Sequence, residues 1–201
     1  MTTAKDLFII TMYPEAEHSV GQGDLSLALA GAELIDLLDA ATVTLEDDRI
    51  VPDGPPVLDD RLVAEAAAGL IRQVPYERIE DWLWRRGRDL SAAYQTALEE
   101  DGELTRKRSG ASLFGPRRVE LIDTSARRRA VSRWEEGEPA LCALALVVGI
   151  GPERSDDEPG LADEALTAVV AAVHDAVMEL EAVRQRRSIE SAAFANLWRG
   201  V

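Results

Sequence analysis

Apolar residues return at intervals of three and four in segment after segment, and that period commits most of this chain to amphipathic helices packed on one another. Leu27, Gly31, Leu34 and Leu38, flanked by Ala28 and Ile35, mark one helical face behind Asp24, which reads as an N-cap. Leu58, Leu62, Ala66 and Leu70, with Val63, Ala67 and Ile71, mark a second face. After Pro75 the spacing resumes at Ile79, Trp82 and Leu83 and continues through Leu90, Tyr94, Ala97 and Leu98, until Gly102 stops it. Trp82 and Trp84 stand two apart on a helix, so they cannot share a direction: one packs inside and the other lies at a boundary.

Further on, Thr124 or Ser125 can cap an arginine-rich helix that runs to Trp134, and a buried helix covers about Pro139 to Val148. A longer helix from about Leu161 to Arg187 carries Leu166, Val169, Val170, Val173, Val177 and Leu180 on its inner side, and Ile189–Trp198 forms a last short helix. Near the start, Asp6–Met12 is a short apolar run ended by Pro14. Two places read instead as β-hairpins. Thr42–Leu45 and Arg49–Val51 flank the acidic turn Glu46–Asp48, and Leu104–Asp123 changes character around Ser109-Gly110. Pro52–Pro56 and Gly149–Gly160 are loops, and there is no internal repeat. The expected architecture is mainly α: a single compact helical domain over residues 1–201 with two β-hairpins. Hydrophobic residues make up 46 % of the chain, enough for one core, but aromatics only 5 %, so Leu, Val and Ala must fill it.

Several function classes drop out. Cys142 is the single cysteine and lies in the apolar run Leu141–Val148, where a thiol acts as a small buried hydrophobe; no internal disulfide can form. The longest strongly apolar segment, Pro139–Ile150, is short of the roughly 20 residues a bilayer span needs. Residues 1–6 lack a signal-peptide pattern, so the expected location is cytoplasmic. His18 and His174 are the only histidines. His174, beside Val173 and Val177, reads as a half-buried residue with a satisfied ring. No zinc-ligand spacing, nucleophile elbow or P-loop is present, and Gly149-Ile150-Gly151 is too short for a dinucleotide fingerprint. The acids Asp47-Asp48 and Asp156-Asp157-Glu158 read as solvated loops. The chain is expected to be no enzyme and to use no cofactor or metal.

Charge is unevenly placed. The net charge is −15, yet the window from Arg85 to Arg133 holds 12 Lys/Arg against 7 acids and stands at +5, leaving −20 for the rest. The acidic total and the lack of a basic recognition helix argue against a nucleic-acid partner, although helices before a basic hairpin suggest a winged helix in outline. Two readings of the basic island remain. Its arginines either solvate exposed helices and pair with Asp and Glu, or converge on an anionic surface.

The segments together resemble the Golgi phosphoprotein 3-like family, in its divergent bacterial branch. The matching pieces fall in the family's order: Asp6–Ile10, Leu27–Leu34, the hairpin Val43–Leu45 to Arg49–Val51, Pro56–Leu62, Asp81-Trp82-Leu83, Leu98–Leu104 and the Ala/Leu-rich Pro139–Gly149. The resemblance implies a helical fold with hairpins, no catalysis and peripheral membrane binding. Eukaryotic members recognise phosphatidylinositol 4-phosphate and bind the cytoplasmic tails of Golgi glycosyltransferases. Their headgroup pocket uses a Trp before the first long helix, an Arg on that helix and two later arginines, and a hairpin with an apolar tip helps hold the bilayer. Here no Trp precedes Asp24, the helix Arg falls on Ala30, and of the later pair one aligns with Arg88 while the other falls on Ser91.

A shifted register would use Arg85 and Arg88, three apart on one helical face. The headgroup-binding expectation is therefore Arg85, Arg88 and the cluster Arg106-Lys107-Arg108, with Leu113 and Phe114 at the hairpin tip either inserted into the membrane or packed in the hairpin core. At about 1 kcal/mol per basic residue near an anionic surface, against about 8 kcal/mol for micromolar affinity, most of the island must face one plane, and homo-oligomer avidity would help. The alternative is a cytoplasmic protein-interaction adaptor with no lipid ligand, its acidic body serving basic peptides.

Overall fold

The computed structural model describes residues 2–12, 20–54, 58–108, 117–151 and 163–199. Among them the chain runs α1 (Thr3–Thr11), α2 (Gln22–Asp39), β1 (Val43–Glu46), β2 (Arg49–Pro52), α3 (Arg61–Ala68), α4 (Ile79–Arg86), α5 (Leu90–Glu100), β3 (Leu104–Arg108), β4 (Arg117–Leu121), α6 (Ser125–Glu135), α7 (Pro139–Val147) and α8 (Glu164–Arg199). The fold is mainly α, and each hairpin is its own two-stranded antiparallel sheet, with Leu45 opposite Ile50 in the first and Arg106 opposite Val119 in the second.

α2 is the hub. Its residues Leu25–Ile35 are buried all round, as expected of a helix enclosed by others. Neighbours from α1, α3, α4, α5, α7 and α8 pack on it. The run Ala28–Ala32, broken only by Leu29, keeps the helix thin enough for this. A Cβ at Gly31 would press into Val173 of α8, so the α2–α8 approach requires glycine there.

The polar groups around Glu33 at the centre of this core are paired. Glu33 is fully buried, and burial pushes its carboxyl pKa up. Arg86 answers with a two-pronged contact at 2.6 and 2.8 Å, and the Tyr94 hydroxyl donates a third hydrogen bond at 3.0 Å. Arg86 also donates to the Leu62 carbonyl, so its guanidinium ties α4 to α2 and α3, and Tyr94 brings α5 to the same Glu33 carboxylate. The Trp82 indole is fully buried and donates to the Ala30 carbonyl, while Trp84 stays 37 % exposed, so the two tryptophans divide as their spacing requires.

Several boundaries differ from the sequence reading. Asp6–Met12 belongs to a helix capped by the Thr2 side chain. Asp24 is not the cap of α2. Gly21 holds that position, and Asp24 sits in the first turn with its carboxylate bound to Arg184. The pattern from Ile79 to Leu98 is broken at Gly87–Asp89: Asp89 takes a left-handed φ of +56°, and a Cβ at Gly87 would crowd the carbonyls of Leu83 and Ser26. α8 is one helix of 36 residues where the sequence suggested two. No Gly or Pro lies between Arg187 and Ile189 to end it. His174 is exposed, not half-buried, and lies 3.6 Å from its neighbour Asp175. Cys142 is partly buried. Asp156–Glu158 and His18 lie outside the described residues.

Candidate functional site

The expected pair Arg85 and Arg88 separates. Arg85 reaches Glu77 through two hydrogen bonds of 2.6 and 2.7 Å and donates to the Gly69 carbonyl, with its guanidinium 5.2 Å from the Trp82 ring centroid. The buried Glu77 carboxylate raises the Arg85 pKa. One side chain thus fastens both ends of the loop between α3 and α4, and Ile71 and Val74 on that loop stand exposed, Val74 at 79 %. Arg85 is a clamp, committed to its own carboxylate.

Arg88 is different. It is exposed, has no ion pair or hydrogen bond among the described residues, and opens into a groove of about 550 Å³. Gln22, Gly23 and Ser26 of α2 form one wall, Ser91 of α5 another, and Trp84 supplies an aromatic side. Two helix N-termini therefore converge here. Neither is closed by a cap side chain: Gly21 has none, and Asp89 makes no cap hydrogen bond. Helix N-termini carry partial positive charge and outward N–H groups, the usual setting for phosphate and other anions. Ser26 and Ser91 fix the two helices to each other, because their hydroxyls are 3.0 Å apart and the Ser91 N–H donates to the Ser26 oxygen. At the rim Arg184 of α8 binds Asp24 with both carboxylate oxygens at 2.7 and 2.8 Å. Asp89, beside Arg88, is the one carboxylate among the groove's lining residues.

Three more of the island's arginines lie beside carboxylates. Arg86 serves Glu33, Arg133 serves Asp6 and Glu138, and Arg128 lies 3.9 Å from Asp123. Arg106, Lys107 and Arg108 occupy β3, paired with Val119, Arg118 and Arg117 of β4. Leu113 and Phe114 lie outside the described residues. Among the described residues no helix is long and apolar enough to cross a membrane, and no group of three or more His, Cys, Asp or Glu is placed to hold a metal ion.

The sequence pattern of the Golgi phosphoprotein 3 (GPP34) family matches residues 4–188, nearly the whole chain. The chain belongs to that family. No curated protein matches it. Of the three positions that the resemblance pairs with a headgroup pocket, Arg88 lines this groove, Ser91 is a buried hydroxyl tying α5 to α2, and Ala30 is a buried core residue. Sequence reasoning missed Trp84, Ser26 and Gln22 as groove residues, and Arg184 at its rim. The exposed half of the Trp82/Trp84 pair was the one available signal for the first. Nothing local marks the others, since Arg184 lies 160 positions from Asp24.

Proposed function

We propose that this GPP34-family chain is a non-catalytic peripheral membrane domain that takes the phosphorylated headgroup of an anionic lipid in the groove between α2 and α5. The observation that carries this reading is the coincidence of two helix N-termini without a side-chain cap with an arginine that has no ion pair or hydrogen bond among the described residues. Arg88 supplies the planar fork for phosphate oxygens, the first-turn amides of α2 supply further donors, and Trp84 packs against the ring or glycerol of the headgroup. In this reading Arg106, Lys107 and Arg108 add longer-range attraction from β3. Leu113 and Phe114 at the hairpin tip, and Ile71 and Val74 on the Arg85-clamped loop, give apolar contact with the bilayer. A Debye length near 8 Å at physiological salt lets this local balance act despite the chain's −15 total.

Vesicle co-sedimentation tests the reading. Phosphatidylcholine vesicles doped with a phosphatidylinositol phosphate should retain the protein where undoped vesicles do not. Arg88→Ala should abolish most of that difference, and the triple change of Arg106, Lys107 and Arg108 to Ala should weaken it in a salt-dependent way. Equal recovery with both vesicle types would overturn the proposal.

The adaptor reading draws on a separate groove of about 320 Å³, where Asp47, Glu80, Asp175 and Glu179 surround a floor that includes Ala172 and Ala176. A small-residue floor under carboxylates suits a basic segment of a protein partner.

A further inference from the structure

The groove between α2 and α5 does not balance a phosphate with its own lining. It carries one arginine and one carboxylate, Arg88 and Asp89, while a phosphate monoester brings about 1.5 to 2 negative charges. A further cation stands at the rim. Resting on the headgroup reading above, we propose that Arg184 is a second phosphate ligand of this groove, held in reserve by Asp24 and exchanged from that carboxylate onto the phosphate when a ligand enters.

Arg184 is only part used. Both of its contacts with Asp24, at 2.7 and 2.8 Å, run through one nitrogen, Nη1, and so does its 3.7 Å approach to Glu181. The other terminal nitrogen, Nη2, has no hydrogen bond among the described residues. It lies over Gly23, where a Cβ would come within 2.8 Å of it. Gly23 lines the groove, and so does Leu180, one turn before Arg184 on α8. The missing Cβ thus lets α8 bring an apolar wall and the unused edge of a guanidinium up to the groove.

Asp24 stands where an anion is favoured. It is the third residue of α2, at the positive pole of that helix, and its carboxylate folds back against Gly21, where a Cβ would collide with Oδ2. Since Gly21 has no cap side chain, this carboxylate is the anion that the fold itself supplies at that pole.

The pair is open enough to trade partners. The Arg184 side chain is 39 % exposed and that of Asp24 18 %, and an ion pair so near the surface contributes little. A phosphate brings more charge and a third acceptor oxygen, and a guanidinium holds two of its oxygens in a fork. Residues 185–191 of α8 are exposed and make no bond to another element among the described residues, so the exchange moves one side chain and no packed element.

A double-mutant cycle on the full chain tests the exchange, read by calorimetric titration of inositol bisphosphate with melting temperature followed on the same samples. Arg184→Gln should weaken binding about tenfold. Asp24→Asn should tighten it about threefold, and that gain should vanish in the Arg184→Gln background. A pair that only fastens α8 to α2 would lose affinity and melting temperature together in both single variants, and that result would overturn the proposal. So would unchanged affinity in Arg184→Gln, or an equal gain from Asp24→Asn with and without Arg184, which would make Asp24 a repelling charge alone. Arg88→Ala separates this inference from the reading beneath it. Weaker binding there, with no coupling between Asp24 and Arg184, defeats the exchange alone, whereas no binding by the wild type defeats both. Retention on vesicles doped with a phosphatidylinositol phosphate, in the same order of variants, assigns the phosphate to a lipid headgroup. Soluble binding without retention assigns it to a free phosphate ester, and the exchange stands in either case.

Discussion

The two ends of α2, about 27 Å apart at 1.5 Å per residue, are built from the same buried helix and treated oppositely. At the amino-terminal end Arg88, without an ion pair among the described residues, and a second helix N-terminus add to the positive pole, the acid in the first turn of α2 is taken by Arg184, and Asp89 lies beside Arg88. At the carboxy-terminal end Asp36 and Asp39 lie at the negative pole, where Asp36 accepts the N–H groups of Thr3 and Ala4 and both Arg129 and Arg133 stand nearby. Between the ends, the polar groups of Glu33, Arg86, Tyr94 and Trp82 are all answered within the protein. The contrast teaches that charge in the middle of α2 is answered within the protein and holds the fold together, while Arg88 at its amino-terminal end is not so answered among the described residues.

Three perturbations sharpen the contrast. The largest effect should come from the middle. Arg86→Ala leaves Glu33 buried and unpaired and should cost about 3–5 kcal/mol, read from the urea midpoint at constant slope. Both poles should suffer equally, because α2, α3, α4 and α5 lose their common tie. A loss confined to one pole would contradict the division.

Next comes the acidic pole. The Asp36 pKa of about 7 in the folded chain stands above its ordinary 3.8, and burial is the cause. The amides of Thr3 and Ala4 oppose that rise, and Asp39 adds to it. The folded state therefore holds a proton that the unfolded state releases. The associated stability is fully present below about pH 4 and is lost as pH rises through 7. Melting temperature should fall between pH 5 and pH 8, and Asp36→Asn should flatten that slope. A wild-type curve already flat over this range would remove the argument.

The smallest effect belongs to the basic pole's aromatic wall. Trp84 is more than one-third exposed, so Trp84→Ala should shift stability by less than about 1 kcal/mol while weakening vesicle retention several-fold. A large stability loss would show that Trp84 belongs to the core instead.

Much of the fold was legible because helical period and turn chemistry act locally. The faces of α2, α3, α5 and α7, both hairpins, the Gly102 stop and the split between Trp82 and Trp84 could all be read from neighbours in sequence. The break at Gly87–Asp89 could not, because the apolar spacing runs on through it and the Ser26 backbone that packs close to Gly87 lies 61 positions away in the chain's numbering. The same limit applied to the sites. Counting charges between Arg85 and Arg133 found the basic island but not its partners. Arg85 and Arg88 share a helical spacing and look equivalent until Glu77 is seen to claim one and not the other. Asp24 read as a cap because its partner Arg184 lies on the last helix, and the acidic pole was invisible because Asp6 and Asp36 meet only after α1 folds onto α2.

The most direct test of the account compares those two arginines. A soluble inositol phosphate is titrated into wild type, Arg88→Ala and Arg85→Ala, with unfolding followed on the same samples. The account predicts that Arg88→Ala binds about tenfold more weakly at unchanged stability. Arg85→Ala should keep its affinity and lose stability, because Glu77 and the α3–α4 loop are released. The opposite pattern, with Arg85 governing affinity and Arg88 without effect, would contradict it.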